Sequence, residues 1–253
     1  MAVYQITLTT LSPLHIGDGN ELRFGFDYMV EQGNTYRLNL DALLEARGED
    51  LRPDRMGKYP QPGSLLRPAD FQNAELFRYV IPGAPRSGKV YASLRSCIKD
   101  VYDCPYIPGS SLKGAFRTAL AWTGWKELNI RLDRPALGYK SEKAAQPLEK
   151  KIFGPDPNHD LLRALQVSDL TGSRTPGAKL RIINAQVLTQ KAAGSPVELE
   201  AVGGDAVFKG SLQIDETLFS QTAEKELRFA NRRRWLDELL PRVQKHSLAR
   251  LQT

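Results

Sequence analysis

Cysteine is scarce in this 253-residue chain, which has only Cys97 and Cys104. Their spacing is neither that of a CxxC redox pair nor that of a zinc site, which would need further Cys or His partners nearby. Histidine is almost as sparse, and His15, His159 and His246 form no HExxH-type ligand pair. No structural metal and no cofactor are therefore expected. No run approaches the roughly 18 apolar residues that a membrane span requires. The opening residues enter an alternating pattern without the basic and apolar regions of a secretory signal. A cytoplasmic location with reduced thiols is the expectation.

What the chain does have is a hydrophobic content of 41% with 25% charged residues, ordinary for a soluble globular protein. Its length fits one domain over residues 1–253 carrying insertions. The net charge of +6 is local: from Arg86 to Lys151 there are 13 Lys and Arg against 6 Asp and Glu, while the remainder carries 22 against 23. A concentrated positive surplus suits a protein that neutralises phosphates and releases their counterions, although an unevenly charged solvated surface would look the same.

Alternation from Val3 to Leu11 predicts a first strand, with Tyr4, Ile6 and Leu8 on one face. A hairpin is expected from Asp27–Val30 and Thr35–Leu40 around Gln32-Gly33-Asn34, then a short helix capped by Asp41 and running through Ala46. Prolines at 53, 60, 62 and 68 mark residues 47–70 as a mobile surface insertion without regular structure. Leu112, Ala115, Phe116, Ala119 and Leu120 share one helix face, with Ser110 or Ser111 placed to cap it. Further strands are expected at Leu180–Leu188 and in a hairpin of Val197–Ala201 with Ala206–Ile214, turned at Gly203-Gly204-Asp205. An amphipathic helix from Glu224 to Leu240, carrying Arg232-Arg233-Arg234 and interrupted near Pro241, opens a helical C-terminal extension at 216–253. Together these elements predict an α+β sandwich.

The most informative segment is Pro105-Tyr106-Ile107-Pro108-Gly109-Ser110-Ser111-Leu112-Lys113-Gly114-Ala115-Phe116-Arg117. Pro108-Gly109 delivers the chain to a helix N-terminus, where free amides and the positive dipole end can receive a phosphate. Ser110 and Ser111 add hydroxyl donors. Lys113 and Arg117 are four apart and share a face, and Gly114 permits close approach of a backbone or ligand. An ordinary capped helix with solvated basic residues would also fit this pattern.

Ile107 through Gly114, followed by Arg117, resembles the signature of the RAMP superfamily of CRISPR proteins. Within it, Leu8 through Gly19, then Asp27-Tyr28 and a hairpin, resemble the fifth subunit of the type III-A Csm effector complex. Ile152-Phe153-Gly154, Val167-Ser168-Asp169-Leu170 and Glu198 through Ile214 extend the likeness over most of the first 215 residues. The resemblance implies a RAMP domain with an RRM-like (ferredoxin-like) core that caps the crRNA 3′ end of a backbone filament. It implies no catalytic residues, and support of crRNA maturation and antiviral RNA targeting. Its implied partners are the single-stranded guide RNA, neighbouring RAMP backbone subunits, the other Csm subunits and target RNA. Carried onto this sequence, the motif makes Ser110, Ser111, Lys113, Gly114 and Arg117 the RNA-binding candidates, with His15 and Gly17 of the first loop beside them. The glycine-rich segment with which family members close is not in this sequence, so a short variant or truncated product is expected.

Other readings weigh less. Another RAMP backbone subunit shares the same motif. Gly83-Ala84-Pro85-Arg86-Ser87-Gly88-Lys89-Val90 nearly matches a P-loop, but Val90 has no hydroxyl for magnesium and Pro85 removes a backbone donor. A metal-independent endoribonuclease using His15 would need a positioned acid or base partner, which neither His159 nor His246 supplies from its sequence context. Asp18 and Asp169 read as turn residues. Of the aromatics around the basic region, Tyr91, Tyr102, Tyr106, Trp122, Trp125 and Tyr139, most are expected in the core, with one or two available for base stacking.

Overall fold

The computed structural model describes residues 2–86, 93–131, 144–186, 197–226, 229 and 232–252. Strands β1 (Ala2–Thr9), β2 (Gly17–Arg23), β3 (Tyr28–Glu31) and β4 (Asn34–Leu38) precede helix α1 (Leu40–Arg47). Strands β5 (Phe77–Pro82), β6 (Ser93–Cys97) and β7 (Tyr106–Ile107) then lead into α2 (Gly109–Glu127), followed by α3 (Gln146–Phe153). Next come β8 (Leu165–Val167), β9 (Leu170–Thr171), β10 (Leu180–Ala185), β11 (Val197–Val202) and β12 (Val207–Ile214). Helices α4 (Gln221–Glu226), α5 (Arg233–Asp237) and α6 (Leu239–Leu251) end the series. The mixture is an α+β one, as the residue patterns predict.

The chain weaves between two compact units. The first takes residues 1–6, 108–170 and 209–253; the second takes 7–107 and 171–208. In the second unit, β10, β11, β6 and β2 form one sheet in that order, and β3, β4 and β5 form another. The β3–β4 hairpin turns on two residues, Gln32 at φ 47° and Gly33 at φ 77°, both in the left-handed region that a tight turn joining twisted strands requires. Asn39, not Asp41, caps α1: its side chain accepts the Ala42 N–H, and Asp41 lies inside the first turn, where its charge complements the helix dipole.

The pair expected from Val197 to Ile214 is not a hairpin. β11 pairs antiparallel with β10 and parallel with β6, whereas β12 pairs with β1 and β8. Buried Thr10 accounts for the difference. Its hydroxyl donates to the Gly203 carbonyl at 2.7 Å and its carbonyl accepts the Asp205 N–H at 2.7 Å. The turn is thereby bonded to another segment rather than closed on itself. Of residues 47–70, Arg47 ends α1; beyond it lie 3₁₀ turns at Gly48–Asp50, Pro62–Leu65 and Pro68–Gln72 and a hydrogen-bonded turn from Asp54 to Lys58, with no further α-helix or strand. Leu65 and Asp70 are buried, and Asp70 pairs with Arg47 at 2.7 Å. Of Leu180–Leu188, residues 187–188 lie outside the described residues, as do residues 87–90 of the P-loop-like run.

The first unit packs α2 and α3 with the strand end Leu212–Ile214, which is antiparallel to β8. Phe116, Leu120, Ile152, Phe153, Leu161, Leu165, Ile214 and Trp235 form its core. Each such side chain contributes about 1.5–3 kcal/mol by leaving water. The expected interruption near Pro241 falls at Glu238, so that Pro241 occupies the first turn of α6, where its missing N–H has no intrahelical partner to lose. Part of the expected Glu224–Leu240 helix, at 227, 228, 230 and 231, lies outside the described residues.

Candidate nucleic-acid interface

Helix α2 begins where Pro108 ends an extended stretch, and neither serine caps it. The Gly109 N–H donates to Asp169 Oδ1 at 2.8 Å, so a carboxylate from beyond β8 occupies the place that the sequence reserves for a phosphate. Gly109 is required for that approach: a Cβ there would stand 2.2 Å from the Val167 carbonyl oxygen. Asp169 is thus more than a turn residue, and in the sequence only its place within the Val167 to Leu170 stretch hints at it. Ser110 and Ser111 lie exposed in the first turn, their hydroxyls making no hydrogen bond among the described residues.

Arg117 is held from three sides. Its guanidinium donates to Asp160 Oδ2 at 2.8 Å and to Glu149 Oε2 at 2.9 Å, and lies 4.1 Å from the centre of the Phe153 ring. Its charge is already compensated within the protein. Lys113, one turn earlier, makes no ion pair among the described residues. Burial holds its ammonium below the usual lysine value; Asp160 opposes that shift and Arg117 adds to it. Gly114 follows it on the exposed side, and a Cβ there would meet open space.

Ser110, Lys113, Gly114 and Arg117 share one groove of about 770 Å³, completed by Lys150, Asp156 and Arg163 among others. His159 Nδ1 lies 2.7 Å from Asp156 Oδ1 and holds that carboxyl below its ordinary range. The groove carries both signs, and Lys113 is the cation at its α2 wall that makes no ion pair among the described residues, Asp160 acting on it only at a distance.

His15 and Gly17 belong to the other unit. His15 Nδ1 lies 2.7 Å from the Glu200 carbonyl, which only accepts, so Nδ1 carries the hydrogen. A side chain at Gly17 would stand 3.1 Å from His15 Nε2. No carboxylate or second histidine is bonded to His15 among the described residues. The basic triplet is likewise engaged: Arg232 donates to the Ile152 carbonyl, Arg233 pairs with Glu216 at 2.7 Å and Arg234 with Glu238 at 2.6 Å. Of the aromatics, Tyr102 is 75% exposed and Trp122 stands between Lys126 and His246. Tyr106 is half-buried and Trp125 packs against the core, while Tyr91 and Tyr139 lie outside the described residues.

A helix entered through Pro-Gly, an exposed serine pair and a lysine facing a groove define a class, and the RAMP superfamily model matches residues 7–241. The chain belongs to the RAMP superfamily. Within it, the chain is 27% identical over 186 residues to the CRISPR system Cms protein Csm5 of Streptococcus thermophilus, a stretch covering 66% of this chain and about half (51%) of that relative. The fold is that of the crystal structure of T. onnurineus Csm5, at a TM-score of 0.75 and 22% identity over 97% of this chain and 80% of the other. A chain in the cryo-EM structure of a type III-A Csm-crRNA-target RNA ternary complex is similar at a TM-score of 0.71 and 24% identity, over 96% and 74% of the two chains. No described helix is long and apolar enough to cross a membrane.

Proposed function

We propose that this protein is a non-catalytic guide-RNA-binding subunit of a type III-A effector complex, seated where the crRNA 3′ end leaves the backbone filament. Its two units then act as one RAMP module with an RRM-like core, and its partners are crRNA, neighbouring RAMP and other Csm subunits, and target RNA. Likeness to Csm5 and to a chain of a crRNA-bound complex supports the reading. One observation carries it. In the motif, Gly109 and Arg117 are explained by contacts inside the protein, whereas no contact among the described residues explains Ser110, Ser111, Lys113 and Gly114. Glycine inside a helix costs about 1 kcal/mol relative to alanine, and no packing among the described residues requires it at 114. A backbone that needs close approach there, beside an unpaired ammonium and two hydroxyls, is that of a bound strand.

The test is binding of single-stranded guide RNA across a salt series. Lys113→Ala is expected to weaken binding roughly fivefold and to flatten the salt dependence by about 0.7 of a log unit per log unit of salt, one phosphate contact, with the RNA recovered uncut. An unchanged affinity and slope would reject Lys113 as a contact, and RNA cleavage that His15→Ala abolishes would replace the reading with a nuclease.

A further inference from the structure

Residues Arg52 to Tyr59 form a built turn that the core does not use. Asp54 Oδ1 accepts the N–H groups of Met56 and Lys58 at 2.8 and 2.9 Å, and the Asp54 N–H donates back to the Lys58 carbonyl at 2.9 Å. The same amides hold the Asp54 carboxyl below its usual range, so its charge is satisfied locally. At the tip Met56 is 88% exposed, and Tyr59 beside it is 60% exposed. Arg52, Arg55 and Lys58 make no ion pair among the described residues, although Arg52 Nε donates to the Glu49 carbonyl at 3.3 Å and the Lys58 charge helps hold Asp54 ionised. Phe26, Arg52, Asp54, Lys58 and Tyr59 line a cleft of about 640 Å³, and Arg23, largely exposed and 3.5 Å from Asp27 Oδ2, lies 4.8 Å over the Phe26 ring.

We propose that this cleft and the turn beside it are a second contact site for single-stranded RNA, with phosphates along Arg52 and Lys58 in the cleft and Arg55 on the turn, and a base stacked on Tyr59. The inference rests on the reading that the chain binds RNA, but on residues of the other unit. A single strand offers repeated negative charge to Arg52 and Lys58 in the cleft and to Arg55 on the same turn, beyond the one carboxylate of Asp54, and a flat face to an exposed ring. An acidic peptide would answer the charge and leave Tyr59 bare. Because the turn is closed by its own hydrogen bonds, it is ordered before a ligand arrives and loses little freedom on binding.

The experiment uses the full chain with a uridine-rich single-stranded RNA carrying 4-thiouridine, over a salt series and with mapping of the cross-linked peptide. Arg52→Ala/Arg55→Ala/Lys58→Ala should flatten the salt slope by about 2. Tyr59→Ala should weaken binding roughly tenfold while Tyr59→Phe keeps it, and the cross-link should fall within residues 52–59. A wild-type slope in the triple variant together with full affinity in Tyr59→Ala overturns the proposal. In that case a retained effect of Lys113→Ala leaves the groove on α2 standing. If the triple variant loses a glutamate-rich peptide but keeps RNA, the surface is a protein's and the proposal falls; no RNA binding by the wild type removes both readings.

Discussion

Lys99 and Lys113 come from the same basic stretch and meet opposite surroundings. The Lys99 side chain is only 9% exposed and gives its three protons to Ser96 Oγ, the Cys97 carbonyl and Glu200 Oε2, the last at 2.6 Å. Glu200 in turn accepts from the Tyr79 hydroxyl at 2.9 Å and the Cys97 N–H at 3.1 Å. Lys113 faces a groove, and no carboxylate among the described residues pairs with its ammonium. A local charge surplus therefore does not count available charges. Lys99 and Arg117 hold the fold together, whereas Lys113 is left to meet a polyanion.

The comparison breaks most sharply at Lys99. Lys99→Ala should cost about 3–5 kcal/mol in urea denaturation, because it leaves the Glu200 carboxylate buried without a cation, and Lys99→Met/Glu200→Gln should recover most of that loss. If the single variant is as stable as wild type, the pair is not what holds that end of the unit. Arg117→Ala follows at about 2 kcal/mol, from loss of two charged hydrogen bonds and the Phe153 contact. Its RNA affinity, measured well below the melting temperature, should change less than that of Lys113→Ala, whose stability should stay within about 0.5 kcal/mol of wild type.

Gly114→Ala should separate fold from function by sign. Thermal denaturation should show a gain of roughly 0.5–1 kcal/mol, and RNA binding should weaken. A gain in both would mean that no ligand backbone comes close there. The smallest effect is one of pH. Burial lowers the Lys113 pKa below 10.5, so its proton is lost, and RNA affinity falls, at a lower pH than for an exposed lysine. Lys113→Arg keeps its charge through that range, and its binding should stay level as the pH is raised.

Much of this molecule is legible in its residues alone. The Gln32-Gly33 turn and the apolar stripe of α2 follow from local rules that neighbouring residues satisfy by themselves. The segment Ile107 to Arg117 marks the region that matters. What escapes such rules is long-range. Nothing near Arg117 announces Glu149 and Asp160, and nothing near Gly203 announces Thr10, which turns an apparent hairpin into strands of two sheets. Capping fails for a related reason: Ser110 and Ser111 have the right chemistry, but Asp169 arrives from elsewhere and takes the Gly109 N–H first.

That last bond bears on portability. Since the entrance to α2 is closed by a carboxylate from another part of the chain, against a backbone so near that only glycine fits, the octapeptide from Ile107 to Gly114 is not a self-sufficient cassette. A synthetic peptide of that sequence, or a graft of it onto a foreign helix, would lack the counterpart that sets its first turn. Val167-Ser168-Asp169 would have to travel with it, and an engineer who wished to move the grip would be moving two distant stretches of chain as one part.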